Sequence, residues 1–314
     1  MRTDTHHHGP DEGHRHDHHP GHHHGADDTF DWVALGDHLV GEAELRLPAL
    51  VEAMRWIGEA PGPDGTAAGS VRRVIDLGSG PGVVSTLLAE SFPQAHVVAV
   101  DSSADLLEWA RERAGRHGVG DRVETRQAQL PDDLATLGTA DLIWAGNFVH
   151  HLGDQGAALA RLRELLTPGG VLAVCEAGLP MRCLPSEIGI GRPGLQARLD
   201  AVTQEWFAAM RADLPGHVAE PDDWPGLLVR AGLEGQAGRS FLSQLYPPLD
   251  ATVREHLRRE MERYAERMGE GIADDDRAVL RRLAGPDDEQ GMLRRPDAFY
   301  LHASTVHTAR APLG

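Results

Sequence analysis

Cysteine is nearly absent: Cys175 and Cys183 are too few for a disulfide-stapled fold or a Cys-ligated zinc site. Bases are scarce beside acids, with 30 Lys and Arg against 48 Asp and Glu and a formal charge of −18. Holding nucleic acid through its phosphates needs surplus positive charge on one face, so no nucleic-acid partner is expected. The arginines Arg258, Arg259, Arg281 and Arg282 read as a solvated helix face. No run approaches the ~18 apolar residues of a membrane span, and the N-terminus lacks an apolar signal core of about 7–15 residues. No membrane partner and a cytoplasmic address are therefore expected. What is present is ordinary for a soluble globular protein: 41% hydrophobic and 25% charged residues. The 314 residues can bury a sizeable core, as one large α/β domain with additions or as two modest domains.

Residues 1–28 contain almost nothing apolar and are expected to be a disordered tail. Ten of the chain's 19 histidines lie here, including His6, His7, His8, His22, His23 and His24. Imidazole suits zinc, copper and nickel, so these are candidate weak metal sites. A flexible tail must lose entropy to wrap an ion, which leaves a plain solvated extension as the alternative. No firm metal site is read elsewhere.

From residue 30 to 59 apolar residues recur at three- and four-residue steps, the pattern of two helices with Pro48 in the first turn of the second. A Gly/Pro/Ser-rich linker over 60–70 follows. Short apolar runs at 71–77, 96–100, 122–127, 141–145 and 171–175 then alternate with helical stretches, among them 104–117 and 157–166. That rhythm predicts a doubly wound, mostly parallel sheet with helices on both faces. Beyond Glu176 the rhythm breaks: helices at 195–213 and 222–231, a strand at 240–246, a long charged helical stretch over about 251–284 and a last strand at 299–308. The expected division is a helical cap over 29–60, an α/β core over 71–176, a helical insertion over 177–239 and the end of a seven-stranded sheet, with a further helical insertion, over 240–314.

The strongest chemical signal is the strand–loop–helix around Asp76-Leu77-Gly78-Ser79-Gly80-Pro81-Gly82. Glycines let the chain turn sharply and let a ligand touch backbone, and the next helix presents its N–H groups there. The following strand ends at Asp101, about twenty residues on, where an acid meets ribose hydroxyls in nucleotide-binding α/β folds. A dinucleotide loop would place its third glycine one residue later, where Val83 stands. Two carboxylates suit a cationic ligand better than a pyrophosphate.

With Ala140-Asp141-Leu142-Ile143-Trp144-Ala145 and Leu165-Leu166-Thr167-Pro168-Gly169-Gly170-Val171-Leu172, these motifs resemble class I S-adenosylmethionine-dependent methyltransferases. The resemblance covers about residues 71–176 and implies a Rossmann-like methyltransferase fold with S-adenosyl-L-methionine as cofactor. A looser likeness, through Asp222-Asp223-Trp224 and Tyr246-Pro247-Pro248-Leu249, is to small-molecule methyltransferases common in actinobacteria. The resemblance implies that Asp76, Gly78, Ser79, Gly80 and Gly82 meet the methionine end, Asp101 the ribose and Ser102 the adenosine. Gln129-Leu130 stands where the family often has Asp and an apolar residue beside adenine, and Asn147 lies near the methyl.

For the transfer itself the candidates are His150, His151 and Glu176. A hydroxyl acceptor benefits from a base with a pKa near 7, which suits His. In the resembled family a His at the position of His151 often only packs at the helix start. Trp32, Trp206, Phe207 and Met210 are candidate linings of a cleft cover. The acidic charge and the absence of an Asn-Pro-Pro-Tyr-type segment at Gly146-Asn147-Phe148-Val149 disfavour methylation of DNA bases. The expected activity is methyl transfer to O, N or C of a small-molecule substrate, in the manner of secondary metabolism. The alternatives are a metal-buffering protein on a methyltransferase scaffold and a nicotinamide-dependent oxidoreductase. A homodimer is compatible with the sequence, though no motif requires one.

Overall fold

The computed structural model describes residues 32–59, 71–267 and 271–313. The His-rich tail, with its candidate sites at His6–His8 and His22–His24, and the 60–70 linker lie outside the described residues. Residues 31–314 form one compact unit. At its centre is a seven-stranded sheet of order β3-β2-β1-β4-β5-β7-β6. β1 (Arg73–Leu77), β2 (His96–Asp101), β3 (Val123–Gln127), β4 (Ala140–Gly146) and β5 (Leu166–Arg182) are parallel. β7 (Tyr300–Arg310) runs antiparallel between β5 and the edge strand β6 (Glu234–Leu245).

Alternation within the strands separates two cores, because successive side chains leave opposite faces of a sheet. Val74, Val97, Ala99, Leu142, Trp144, Ala173 and Cys175 join Leu88 of helix α2 (Val83–Ser91), Phe92 just after it and the C-terminal half of α1 (Trp32–Glu59). Ile75, Leu77, Val98, Val100, Ile143 and Val174 face Leu159 and Leu162 of α4 (Gln155–Glu164) and Trp224, Leu227 and Leu228 of α6 (Trp224–Arg230). Three of the helices begin on side-chain caps. Ser103 accepts from Leu106 N at the start of α3 (Ala104–Arg116), Asp154 from Ala157 N before α4, and Asp223 from Gly226 N before α6. Each cap satisfies an N–H that the helix itself cannot.

Two expectations are corrected and one is refined. Residues 32–59 form one helix with Pro48 inside it, not two helices. The proline costs about 3 kcal/mol by lacking an N–H and crowding the preceding turn. Burial of Ala49, Leu50, Ala53, Met54 and Ile57 against the sheet offsets that cost. The charged stretch 251–284 is two helices, α7 (Ala251–Arg267) and α8 (Asp274–Ala284), with Gly269 and Gly271 between them in sequence. With α5 (Leu195–Ala212) they enclose a third core of Cys183, Leu184, Leu257, Met261, Leu280 and Leu283. Finally, β5 runs on to Arg182 and β6 starts at Glu234, both beyond their apolar segments. Pairing with β7 holds these extensions, which burial does not mark: residues 234–240 are exposed.

Candidate functional site

The glycine loop leaves β1 at the carboxyl edge of the parallel strands, where open α/β sheets bind ligands. Ser79 N donates to Val100 O at 2.9 Å, tying the loop to the end of β2. Gly80 (φ 51°) and Gly82 (φ 76°) occupy the left-handed region. A β-carbon on Gly82 would lie 2.5 Å from Ala110 Cβ, so this glycine lets α3 pack on the loop. Among the described residues, a β-carbon on Gly80 would meet only Leu39 of α1, at 3.7 Å. The N-terminal half of α1 therefore lies over the loop while its other half packs on the sheet.

Asp76 is 2% exposed and accepts from Ser85 Oγ at 2.5 Å. Burial, aided by the charge of Asp101, pushes its pKa up to about 7 despite the Ser85 hydrogen bond. Asp101 ends β2, accepting from Gly80 N and Ser103 N at 2.9 Å each. Burial raises its pKa too, against the pull of those backbone donors. Ser79 Oγ is buried and has no hydrogen-bond partner among the described residues. Ser102 and Gln129 are exposed at the ends of β2 and β3; Gln129 N donates to Asp133 at 2.7 Å, and Leu130 is half-buried beside it. The loop, Asp76, Asp101 and Ser102 thus lie together, with Gln129 and Leu130 one strand further out.

Beyond β4, Asn147 is exposed at φ 50°, a left-handed conformation uncommon outside glycine. It turns the chain into a short 3-10 segment, Val149–His151. The turn packs Phe148 on the glycine loop, 2.9 Å from where a β-carbon on Gly78 would sit. It also aims the amides of Phe148 and Val149 at Glu176 Oε1, at 2.9 and 2.8 Å. The other Glu176 oxygen takes His150 Nδ1 at 2.8 Å. The Glu176 side chain is 5% exposed and that of His150 17%. Arg211 of α5 donates to His150 O at 2.7 Å, and the rings of Phe207 and His151 lie 5.2 and 4.1 Å from the His150 ring.

The structure thus brings two of the three transfer candidates into direct contact and leaves His151 exposed beside them. Of the expected cover residues, Phe207 reaches His150, whereas Trp206 is 53% exposed. The side chain of Trp32 lies outside the described residues. Three features were missed from the sequence: Leu39 over Gly80, Phe148 against Gly78, and Arg211 on His150. Asn147 was the one local signal for the second, as the residue after a strand that best tolerates a left-handed turn.

A family model described as a methyltransferase domain matches residues 75–172. Trans-aconitate 2-methyltransferases are similar: that of Azoarcus sp. is 44% identical over 32% of this chain and 37% of its own length. That of Methylobacterium radiotolerans is 40% identical over 54% of this chain and 60% of its own. The chain thus spans less than two thirds of either relative. For the Pseudomonas aeruginosa enzyme of the same name, identity is 32% over 62% of this chain and 73% of that one. A solved putative methyltransferase from Bacillus halodurans aligns with TM-score 0.48 at 18% identity, over 83% of this chain and 98% of its own. With the sequence likeness to the Pseudomonas aeruginosa enzyme and the matched methyltransferase domain, around a glycine loop and two carboxylates, the chain belongs to the class I S-adenosylmethionine-dependent methyltransferases.

Proposed function

We propose that this methyltransferase acts on an oxygen of a small-molecule acceptor, with His150 taking the acceptor's proton. The observation that carries the reading is the His150–Glu176 pair beside the loop. A carboxylate on Nδ1 fixes the tautomer with its proton there and leaves Nε2 as the basic nitrogen. The same carboxylate stabilises the imidazolium once the proton has moved. Phe207 and Arg211 hold the ring and its backbone from the α5 side, a positioning role.

The residues of the loop fit the cofactor. S-adenosylmethionine supplies an electrophilic methyl on a sulfonium. The orphaned Ser79 hydroxyl and the backbone around Gly80 suit the carboxylate at its methionine end, and Asp76 suits the ammonium. Asp101 accepts two amide hydrogens, and a carboxylate has about four lone-pair positions, so capacity remains for ribose hydroxyls. Ser102, Gln129 and Leu130 would border the adenosine. The third-glycine spacing and the family set aside the nicotinamide alternative. The metal-buffering alternative rests on the tail and gains nothing from the residues around this loop.

A second reading comes from the relatives named for trans-aconitate: a carboxylate acceptor, which is already ionised at neutral pH and needs no base. His150→Gln separates the two. For a hydroxyl acceptor, kcat falls about 10²–10⁴-fold. An unchanged kcat, with trans-aconitate or related acids as acceptor, would establish the carboxylate reading and remove His150 from the chemistry.

A further inference from the structure

Away from the glycine loop and the His150–Glu176 pair, α1 and α7 bring together a second cluster of ionisable side chains. His256 and Glu260 are one helical turn apart on α7, and His38 faces them from α1. Glu260 Oε1 lies 3.5 Å from His38 Nδ1 and 3.8 Å from His256 Nε2. The candidate ligand atoms of all three lie within 4.8 Å of one another. The two imidazoles are stacked, with centroids 5.8 Å apart and planes at 17°. The helices approach so closely that a β-carbon on Gly41 would sit 2.8 Å from His256 Nδ1.

We propose that His38, His256 and Glu260 form a site for a divalent late transition ion of the zinc type, which clamps α1 to α7. The spacing fits: ligands about 2.0–2.1 Å from a tetrahedral zinc are roughly 3.4 Å apart. The orientation fits as well. His38 Nε2 lies 3.6 Å from Glu42, one turn along α1, and a carboxylate on the far nitrogen is the usual support of a metal-bound imidazole. Arg263 contacts Glu260, and a bound ion must displace that guanidinium. Two imidazoles with one contested carboxylate favour zinc, nickel or copper over magnesium or calcium, which need several oxygen ligands. The consequence is local. The clamped half of α1 carries Leu39 over Gly80, so the ion would hold the cover on the cofactor loop.

Thermal unfolding of the full chain with and without zinc tests the clamp independently of any acceptor. Histidines that bind zinc equally before and after unfolding leave Tm unchanged, whereas a site built from two helices exists only in the folded protein and raises it. At zinc a hundredfold above its Kd the expected rise is about 5–10 °C. A chain with its tail histidines replaced by serine keeps the rise, His256→Gln and Glu260→Gln lose most of it, and magnesium gives none. No rise with zinc, a rise that survives both substitutions, or one that vanishes with the tail histidines would overturn the proposal. If the glutamine variants melt early without metal, cobalt(II) titration of the tail-serine chain reads the site directly. Visible absorption of a four-coordinate ion supports it, and its absence overturns it.

Discussion

Asp76 shows how burying one carboxylate costs stability. Its burial holds the pKa near 7, whereas an unfolded chain ionises it near 3.8. The unfolded state therefore sheds this proton first, and the group costs stability as pH rises from about 4 to 7, the loss being complete above that. Asp76→Asn removes the cost: denaturant unfolding at pH 8 should show a gain on the order of 2–4 kcal/mol. The same change should weaken S-adenosylmethionine, because the neutral amide no longer answers a cation. In the unaltered protein, a bound cation favours the ionised carboxylate, so cofactor affinity by calorimetry should rise with pH up to about 7 and then level off. Affinity flat across pH 5–8 would place the ammonium elsewhere. Asp76 was legible as a candidate site residue from its place before the glycines. Its raised pKa was not, because burial is a property of the packed sheet around it.

Among the elements, α1 departs furthest from its sequence pattern. Pro48 reads locally as the start of a helix, because its fixed φ suits a first turn and its missing N–H would need no partner there. In the fold it is exposed in the middle of 28 helical residues, kept there by the apolar surface on its C-terminal side. Pro48→Ala restores a main-chain hydrogen bond and should stabilise the protein by about 1–3 kcal/mol in urea melts. A loss of stability instead would mean that the proline sets the angle at which α1 crosses from loop to sheet. The core strands and their helices were legible from period and caps, since local pattern and burial agree in them. The extension of β6 was not, because its exposed residues are held by main-chain pairing to β7.

At the scale of the molecule, two cores cover the sheet and a third belongs to α5, α7 and α8. Leu257 is fully buried in the third, and Leu257→Ala should cost about 2–5 kcal/mol through lost transfer energy and an unfilled cavity. Hydrogen exchange locates that loss: amides of α7 and α8 should lose protection before those of β1 and β4. Equal loss throughout would show that the helical insertion and the sheet open as one unit. Among the described residues no helix is long and apolar enough to cross a membrane.

The sequence alone determined the class of fold and the cofactor, because these rest on features local to a strand, its turn and the next helix. Alternating apolar runs, glycines free of a β-carbon and an acid at each of two strand ends say the same thing at several levels. Only the tertiary structure decided which candidate histidine meets Glu176, that α1 covers Gly80, and that His38 stands opposite His256 and Glu260. Those contacts join residues 26 to more than 200 positions apart. No local propensity encodes such a meeting; it exists once burial has stacked the helices on the sheet.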